Sequence, residues 1–212
     1  MTDAENESGN PLPGSARPGS AWAGADMSEG ARHWPRLRSE TVADLILFKA
    51  RFDWFTHPRS GTVFKRLVLP SGDWVNVVAR TVDGQLVMVR QFRFGSASLT
   101  LETPGGMVDA GETHGAAAAR ELQEETGYGD GHWLYLGAVQ PNPAIHDHLC
   151  HHWLADGVRR VGPATPGAGE DVEVLLMTPA TMRQAVRDGA IQHSLALSAL
   201  SRVYELFGAS AG

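Results

Sequence analysis

One cysteine, Cys150, stands among 212 residues, so no internal disulfide can form and nothing calls for an oxidising compartment. Basic residues are outnumbered, 18 Lys and Arg against 24 Asp and Glu, for a formal net charge of −6. Proteins that grip a nucleic-acid backbone usually carry a basic face, so no nucleic-acid partner is expected. Long apolar runs are missing as well. None approaches the roughly 20 residues of a bilayer-spanning helix. The acidic opening "MTDAENESGN" also lacks the apolar core of a secretory signal. A cytoplasmic protein without a membrane partner is the expectation. Residues 1–34 show no hydrophobic period and are rich in Gly, Ala, Ser, Pro and Glu. They read as a flexible tail in which only Trp22 and Trp34 have the bulk to dock.

What remains is the material of one buried domain with appendages. Residues 35–75 alternate strand-like runs with turns at "HPRSG" and Pro70-Ser71-Gly72. "VNVVART", Asp83-Gly84 and "QLVMVRQFR" spell a hairpin, two β-rich runs joined by an Asp-Gly turn. "HWLYLGAVQPN", "HLCHHWLADGV" and "VEVLLMTP" predict further strands. "ATMRQAVRDGA" predicts a short helix ended by Gly189, and "SLALSALSRVYELF" a longer one. Strands and helices interleave, which predicts an α/β (α+β) sandwich around a mixed β-sheet over residues 76–208.

One stretch stands apart: "GGMVDAGETHGAAAARELQEETGY", residues 105–128. Thr113 is suited to cap a helix start and Gly127 to end it in a left-handed turn, so a helix over about 114–126 is predicted. Glu121, Glu124 and Glu125 then fall at i, i+3 and i+4, on one face. Leu122 falls on another side, available to the core. Like charges held this close repel unless a cation sits among them. Gly105 and Gly106 allow the preceding backbone to approach, bringing a carbonyl oxygen to the same point. Hard oxygen donors of this kind suit Mg2+ or Mn2+, and without a His/Cys ligand set zinc is not expected.

Gly106, Glu112 and the run Arg120-Glu121-Leu122-Gln123-Glu124-Glu125-Thr126-Gly127 keep a fixed spacing that resembles the Nudix box at every fixed position. Tyr128, where the family usually has an aliphatic residue, is a departure that concerns packing. The resemblance implies a Nudix-type α/β/α sandwich. It also implies a hydrolase that uses a divalent metal to cleave a nucleoside diphosphate linked to another group. Glu121 and Glu125 would be metal ligands, Glu124 a contributor and Gly105 a carbonyl donor. Arg120 and Glu112 would brace the loop against the helix, within a frame that includes Gly106, Leu122 and Gly127.

Beyond the box, "VRQFRFG" and "LTLETPGGMVDAGE" resemble the ADP-ribose pyrophosphatase branch. That likeness implies Arg93 at the substrate phosphates, Glu102 as a substrate contact and Pro143 as the marker of ADP-ribose-like substrates. It implies ADP-ribose or another ADP-sugar as substrate, split to AMP and a sugar phosphate. A catalytic base is implied in the acidic loop "PGAGEDVEV": Glu170 first, Asp171 second, with Glu173 facing solvent. Strand exchange over residues 35–75 would give a homodimer. Nucleoside triphosphates, dinucleoside polyphosphates, other nucleotide sugars and coenzyme A are alternative substrates for the same box. A non-catalytic nucleotide sensor is disfavoured by the intact carboxylates. The histidines of "IHDHLCHHW" read as substrate or loop contacts, with His146 and His148 on one side and His151 opposite His152. Cys150 reads as core.

Overall fold

The computed structural model describes residues 32–207; the tail read at 1–34, Trp22 included, lies outside them except for its last residues. Trp34 does dock. Its ring sits edge-on to His57 at 4.7 Å and leans on Phe64 at 5.7 Å.

An antiparallel three-stranded sheet comes first: β1 (Arg36–Asp44), β2 (Lys49–Thr56) and β3 (Val63–Val68), in that order. A seven-stranded sheet follows. It contains β4 (Trp74–Thr81), β5 (Leu86–Arg93), β6 (Ser98–Glu102), β7 (Tyr128–Gly129), β8 (His132–Val139), β9 (Cys150–Arg160) and β10 (Val172–Met177). Its path runs β10-β5-β4-β9-β7, with β6 on β5 and β8 on β9. β4 and β9 pair in parallel while their neighbours are antiparallel, so the sheet is mixed as expected. The Asp83-Gly84 turn closes the β4–β5 hairpin, and Gly84 takes φ 83° there, open to glycine at no steric cost.

Alternation along β4 and β5 sends side chains to both faces, and both are covered. Val75, Val77, Ala79 and Val87 meet Ala117, Ala118 and Leu122 of α1 (His114–Thr126). Val78, Leu86 and Met88 meet Met182 and Val186 of α2 (Pro179–Arg187) and Ala196, Ala199 and Leu200 of α3 (Ser194–Ser201). This is the α/β/α sandwich. Leu122 is fully buried, in its expected place.

The last helix is shorter than its sequence period predicts. It stops at Ser201 because Arg202 closes the turn onto Ala199 and Leu200, and its guanidinium reaches the carbonyls of Leu136 and Ala138 on β8. Leu136 is the extra residue of a bulge in β8, so a strand irregularity supplies the acceptors that end a distant helix. Cys150 is buried and donates its thiol to Asn76 Oδ1 at 3.1 Å, and burial pushes its pKa up to about 12. It is a core residue.

Candidate active site

α1 begins and ends where its caps put it. Thr113 accepts from the Ala116 N–H at 3.2 Å, and Gly127 sits at φ 73° with its N–H on Gln123 O. The position needs glycine, because a Cβ there would collide with the Gly162 carbonyl.

Ahead of α1, the box loop is laced to the end of β4. Val77 and Val75 donate to the carbonyls of Pro104 and Gly106, and the Gly105 N–H points the other way, to Glu125 Oε2 at 2.9 Å. A side chain at 105 would strike the Val75 carbonyl, and a Cβ at 106 would lie 2.5 Å from the Glu121 carboxylate. The two glycines are the clearance that lets loop and carboxylates meet.

Arg120 ties the box together. Its guanidinium grips Glu112 at 2.9 and 3.0 Å, donates to Met107 O at 2.9 Å, and reaches Glu121 at 2.8 Å and Glu124 at 3.1 Å. Glu112 in turn accepts from the Asp109 N–H, and the Arg120 bond holds its carboxyl below the usual range. These are the contacts that bracing the loop against the helix would require.

Glu125 is the contrast. It is 3 % exposed and has one N–H donor, so burial, with Glu121 and Glu170 nearby, pushes its pKa up to about 8. Burial also raises Glu121. Glu121, Glu125 and Glu170 line one cavity of about 370 Å³ together with Gly105, Gly106 and Arg93. Three acids that crowd a cavity, one of them buried and short of positive partners, fit a hard cation and no thiolate metal. The donor set is not closed as it stands: among the described residues, no three His, Cys, Asp or Glu side chains converge as a formed ligand cage. Glu124 is outside the cavity lining, 44 % exposed and held by Arg120.

Arg93 and Glu102, singled out separately from the sequence, are partners. Arg93 makes a two-pronged pair with Glu102 at 2.7 and 2.8 Å. Glu102 is fully buried, outside the cavity lining, so in this structure it touches Arg93 and not the cavity. Burial works against its charge, but Arg93 and Thr100 bonds keep the carboxyl below the usual range. Pro143 lies on an exposed turn in which Ile145 and His146 donate to Asn142 O, and it too is outside the lining. Glu170 closes its own loop by accepting from the Gly167 N–H at 2.7 Å. Asp171 does not line the cavity, and Glu173 pairs with Arg90 at the surface.

The histidines are also elsewhere. His146 and His148 stack at 5.0 Å, flanked by Phe48 and Trp74, and His151 bridges Asp73 at 3.2 Å and Tyr135 at 2.9 Å. None of these three lines the cavity, and their contacts are with neighbouring rings and side chains, His114 of α1 among them. Missed from the sequence were Trp74, Asn76, Gln91 and His193, which line the cavity. Nothing local marks them; they gather only because the start of β4, the end of β5 and the N-cap of α3 come together at one cavity.

Residues 71–196 match the family model described as NUDIX domain. The chain belongs to the Nudix family. It is 31% identical over 170 residues to an ADP-ribose pyrophosphatase of Mycobacterium tuberculosis, covering 79% of this chain and 82% of that protein. A second ADP-ribose pyrophosphatase, from Bacillus subtilis, is 34% identical over 124 residues, 57% of this chain and 67% of that protein. A solved structure described as an ADP compounds hydrolase superposes with TM-score 0.72 at 24% identity, covering 83% of this chain and 95% of that one, a likeness of fold. The sequence resemblance to the ADP-ribose pyrophosphatase branch therefore extends well beyond the box.

Proposed function

We propose that this Nudix hydrolase cleaves the diphosphate linkage of ADP-ribose, or of a closely related ADP-sugar, to AMP and a sugar phosphate. The observation that carries the reading is one cavity shared by the box carboxylates Glu121 and Glu125, the loop acid Glu170 and the guanidinium of Arg93. The names of the relatives supply the substrate class. Gly105, Glu121 and Glu125, with Glu124 beside them, would hold Mg2+ or Mn2+. Such a cation, when bound, supplies the positive charge that a diphosphate needs at the point of attack.

The chain's own residues do the rest. Arg93, fixed by Glu102, offers a planar donor fork to phosphate oxygens, a geometry lysine lacks. Glu170, on its loop at the cavity wall, takes the proton from the attacking water. Gly105 and Gly106 leave the clearance that lets backbone and carboxylates approach each other. Pro143, on the exposed turn outside the cavity lining, would be the marker of an ADP-ribose-like substrate. We place the protein in the cytoplasm, where nucleotide sugars are met and a lone buried thiol is safe. The N-terminal strands, residues 35–75, would join two copies in a homodimer. Leu37, Val42, Leu45 and the 98 % exposed Ile46 support that reading.

The test is a panel of nucleoside diphosphate derivatives with Mg2+, products separated by chromatography and the attack located with ¹⁸O-water. ADP-ribose or an ADP-sugar should be the fastest, with label in one product's phosphate. Faster hydrolysis of nucleoside triphosphates than of every ADP-sugar would overturn the substrate reading.

A further inference from the structure

One buried carboxylate at the edge of the cavity serves more than Arg93. Glu102 also accepts from the Thr100 hydroxyl, and its Oε2 lies 3.4 Å from Nδ1 of His193. His193 arrives from the segment between α2 and α3 and occupies the N-cap position of α3, yet it makes no side-chain capping bond. The helix does not need this imidazole. Its Nδ1 is buried without a hydrogen-bond partner, Glu102 being the carboxylate beside it, while the residue lines the same cavity as the box carboxylates Glu121 and Glu125.

A neutral imidazole is a donor at one nitrogen and an acceptor at the other, and the partner of the first decides which is which. A carboxylate 3.4 Å from Nδ1 favours the proton on that nitrogen, the tautomer that leaves Nε2 as an acceptor. Burial holds the His193 pKa below the ordinary value, outweighing the opposite pull of Glu102, so the ring is neutral near pH 7. Two functions thus stand side by side on one buried acid: a donor fork from Arg93 and a lone pair from His193. Phosphate oxygens are acceptors and can use only the fork. A sugar hydroxyl can use the lone pair.

We propose that His193 is a specificity-determining residue that accepts a hydrogen bond from a ribose hydroxyl of the bound nucleotide sugar. Glu102 is the positioning residue that sets its tautomer and at the same time aims Arg93. This rests on the nucleotide-sugar reading above. Either ribose of an ADP-ribose-like substrate carries the required group, and the experiment separates them.

His193→Leu removes the acceptor, whereas His193→Gln keeps one on a side chain of similar reach. With ADP-ribose and Mg2+, the leucine variant should raise KM about tenfold, the loss of one such bond, with kcat within about twofold. The glutamine variant should recover most of that loss. Circular dichroism and melting temperature show that both fold. Two analogues then locate the hydroxyl: ADP-ribose lacking the 2′ and 3′ hydroxyls of the adenosine, and an ADP alkyl ester lacking the distal sugar. On the analogue missing the hydroxyl that His193 reads, parent and leucine variant should have the same KM. An unchanged KM for His193→Leu on ADP-ribose overturns the proposal, as does a glutamine variant no better than leucine. So does a tenfold leucine effect that persists on both analogues. If the parent prefers another nucleotide sugar, the ADP-ribose reading fails by itself, and the same variants judge His193 on that sugar by the same KM criterion.

Discussion

Glu125 offers the sharpest test of the site's electrostatics, because its burial carries a cost that a neutral isostere should remove. Its pKa is raised from 4.5 to about 8. A carboxyl raised in the folded state stabilises the fold fully below its unfolded value, and that contribution is lost as pH rises through the folded value. Between pH 4.5 and about 8 the metal-free protein must therefore take up a proton at this position in order to fold. The corresponding slope is about 1.4 kcal/mol of lost stability per pH unit, reaching about 3 kcal/mol at pH 7. Glu125→Gln has no proton to take up and can still accept from the Gly105 N–H with its amide oxygen. Urea unfolding in EDTA from pH 5 to pH 8 should show the parent losing stability relative to the variant along that slope. By pH 7 the variant should be the more stable protein. Saturating Mg2+ should reverse the order, because it binds the parent's charged folded form and stabilises by mass action. The variant should also lose turnover by orders of magnitude. Parallel stability curves for the two proteins in EDTA would refute the argument, whatever happens to activity.

The other expectations follow from single contacts. Glu170→Gln should lower kcat by about 10²- to 10⁴-fold with little change in KM, since the acid acts on water; parental kcat would pass the role to Asp171 or another acid. Arg93→Lys keeps the charge and loses the two-pronged bond to Glu102, so kcat/KM should fall about tenfold, and unchanged kinetics would return Arg93 to a surface role. Gly106→Ala places a methyl 2.5 Å from the Glu121 carboxylate. The half-saturating Mg2+ concentration should rise about 10- to 100-fold, with a fold that circular dichroism cannot tell from the parent; an unchanged Mg2+ requirement would mean that Glu121 is not confined.

Local signals explain what the sequence disclosed. The ends of α1 were legible because Thr113 and Gly127 cap by their own chemistry, and the face of Glu121, Glu124 and Glu125 follows from helical geometry. The β4–β5 turn was legible for the same reason. What stayed hidden is set by pairing at a distance. Trp74 and Asn76 reach the cavity wall where β4 lies parallel to β9, which no spacing in the chain announces. That Arg93 and Glu102 would bind each other depends on the β5–β6 register, which puts both on one face with Glu102 opposite Val89 and Arg93 opposite Ser98, so that the long arginine reaches back along the hairpin. The end of α3 was misjudged because its apolar period continues past Ser201, while the acceptors that stop it belong to a bulge in β8.

The division of labour between the two arginines accounts for where the site's unmet charge lies. Arg120 compensates Glu112, Glu121 and Glu124 from the helix side, so removing it would loosen the box and expose three acids to one another. Arg93 is already committed to Glu102, which is fully buried and could not remain charged without it. Neither guanidinium reaches Glu125 within ion-pair distance, and the two acids nearest in effect, Glu121 and Glu170, only add to its negative surroundings. An alternative arrangement in which Arg120 paired with Glu125 would have met the charge of that carboxylate at the expense of Glu121. Here the fold spends its cations on holding the loop and the clamp, and the deficit is concentrated at the one carboxylate that faces both the box backbone and the loop acid. On the proposed reading, a deficit in that place would draw a divalent ion to where a diphosphate, steered by Arg93, would have its own charge to share.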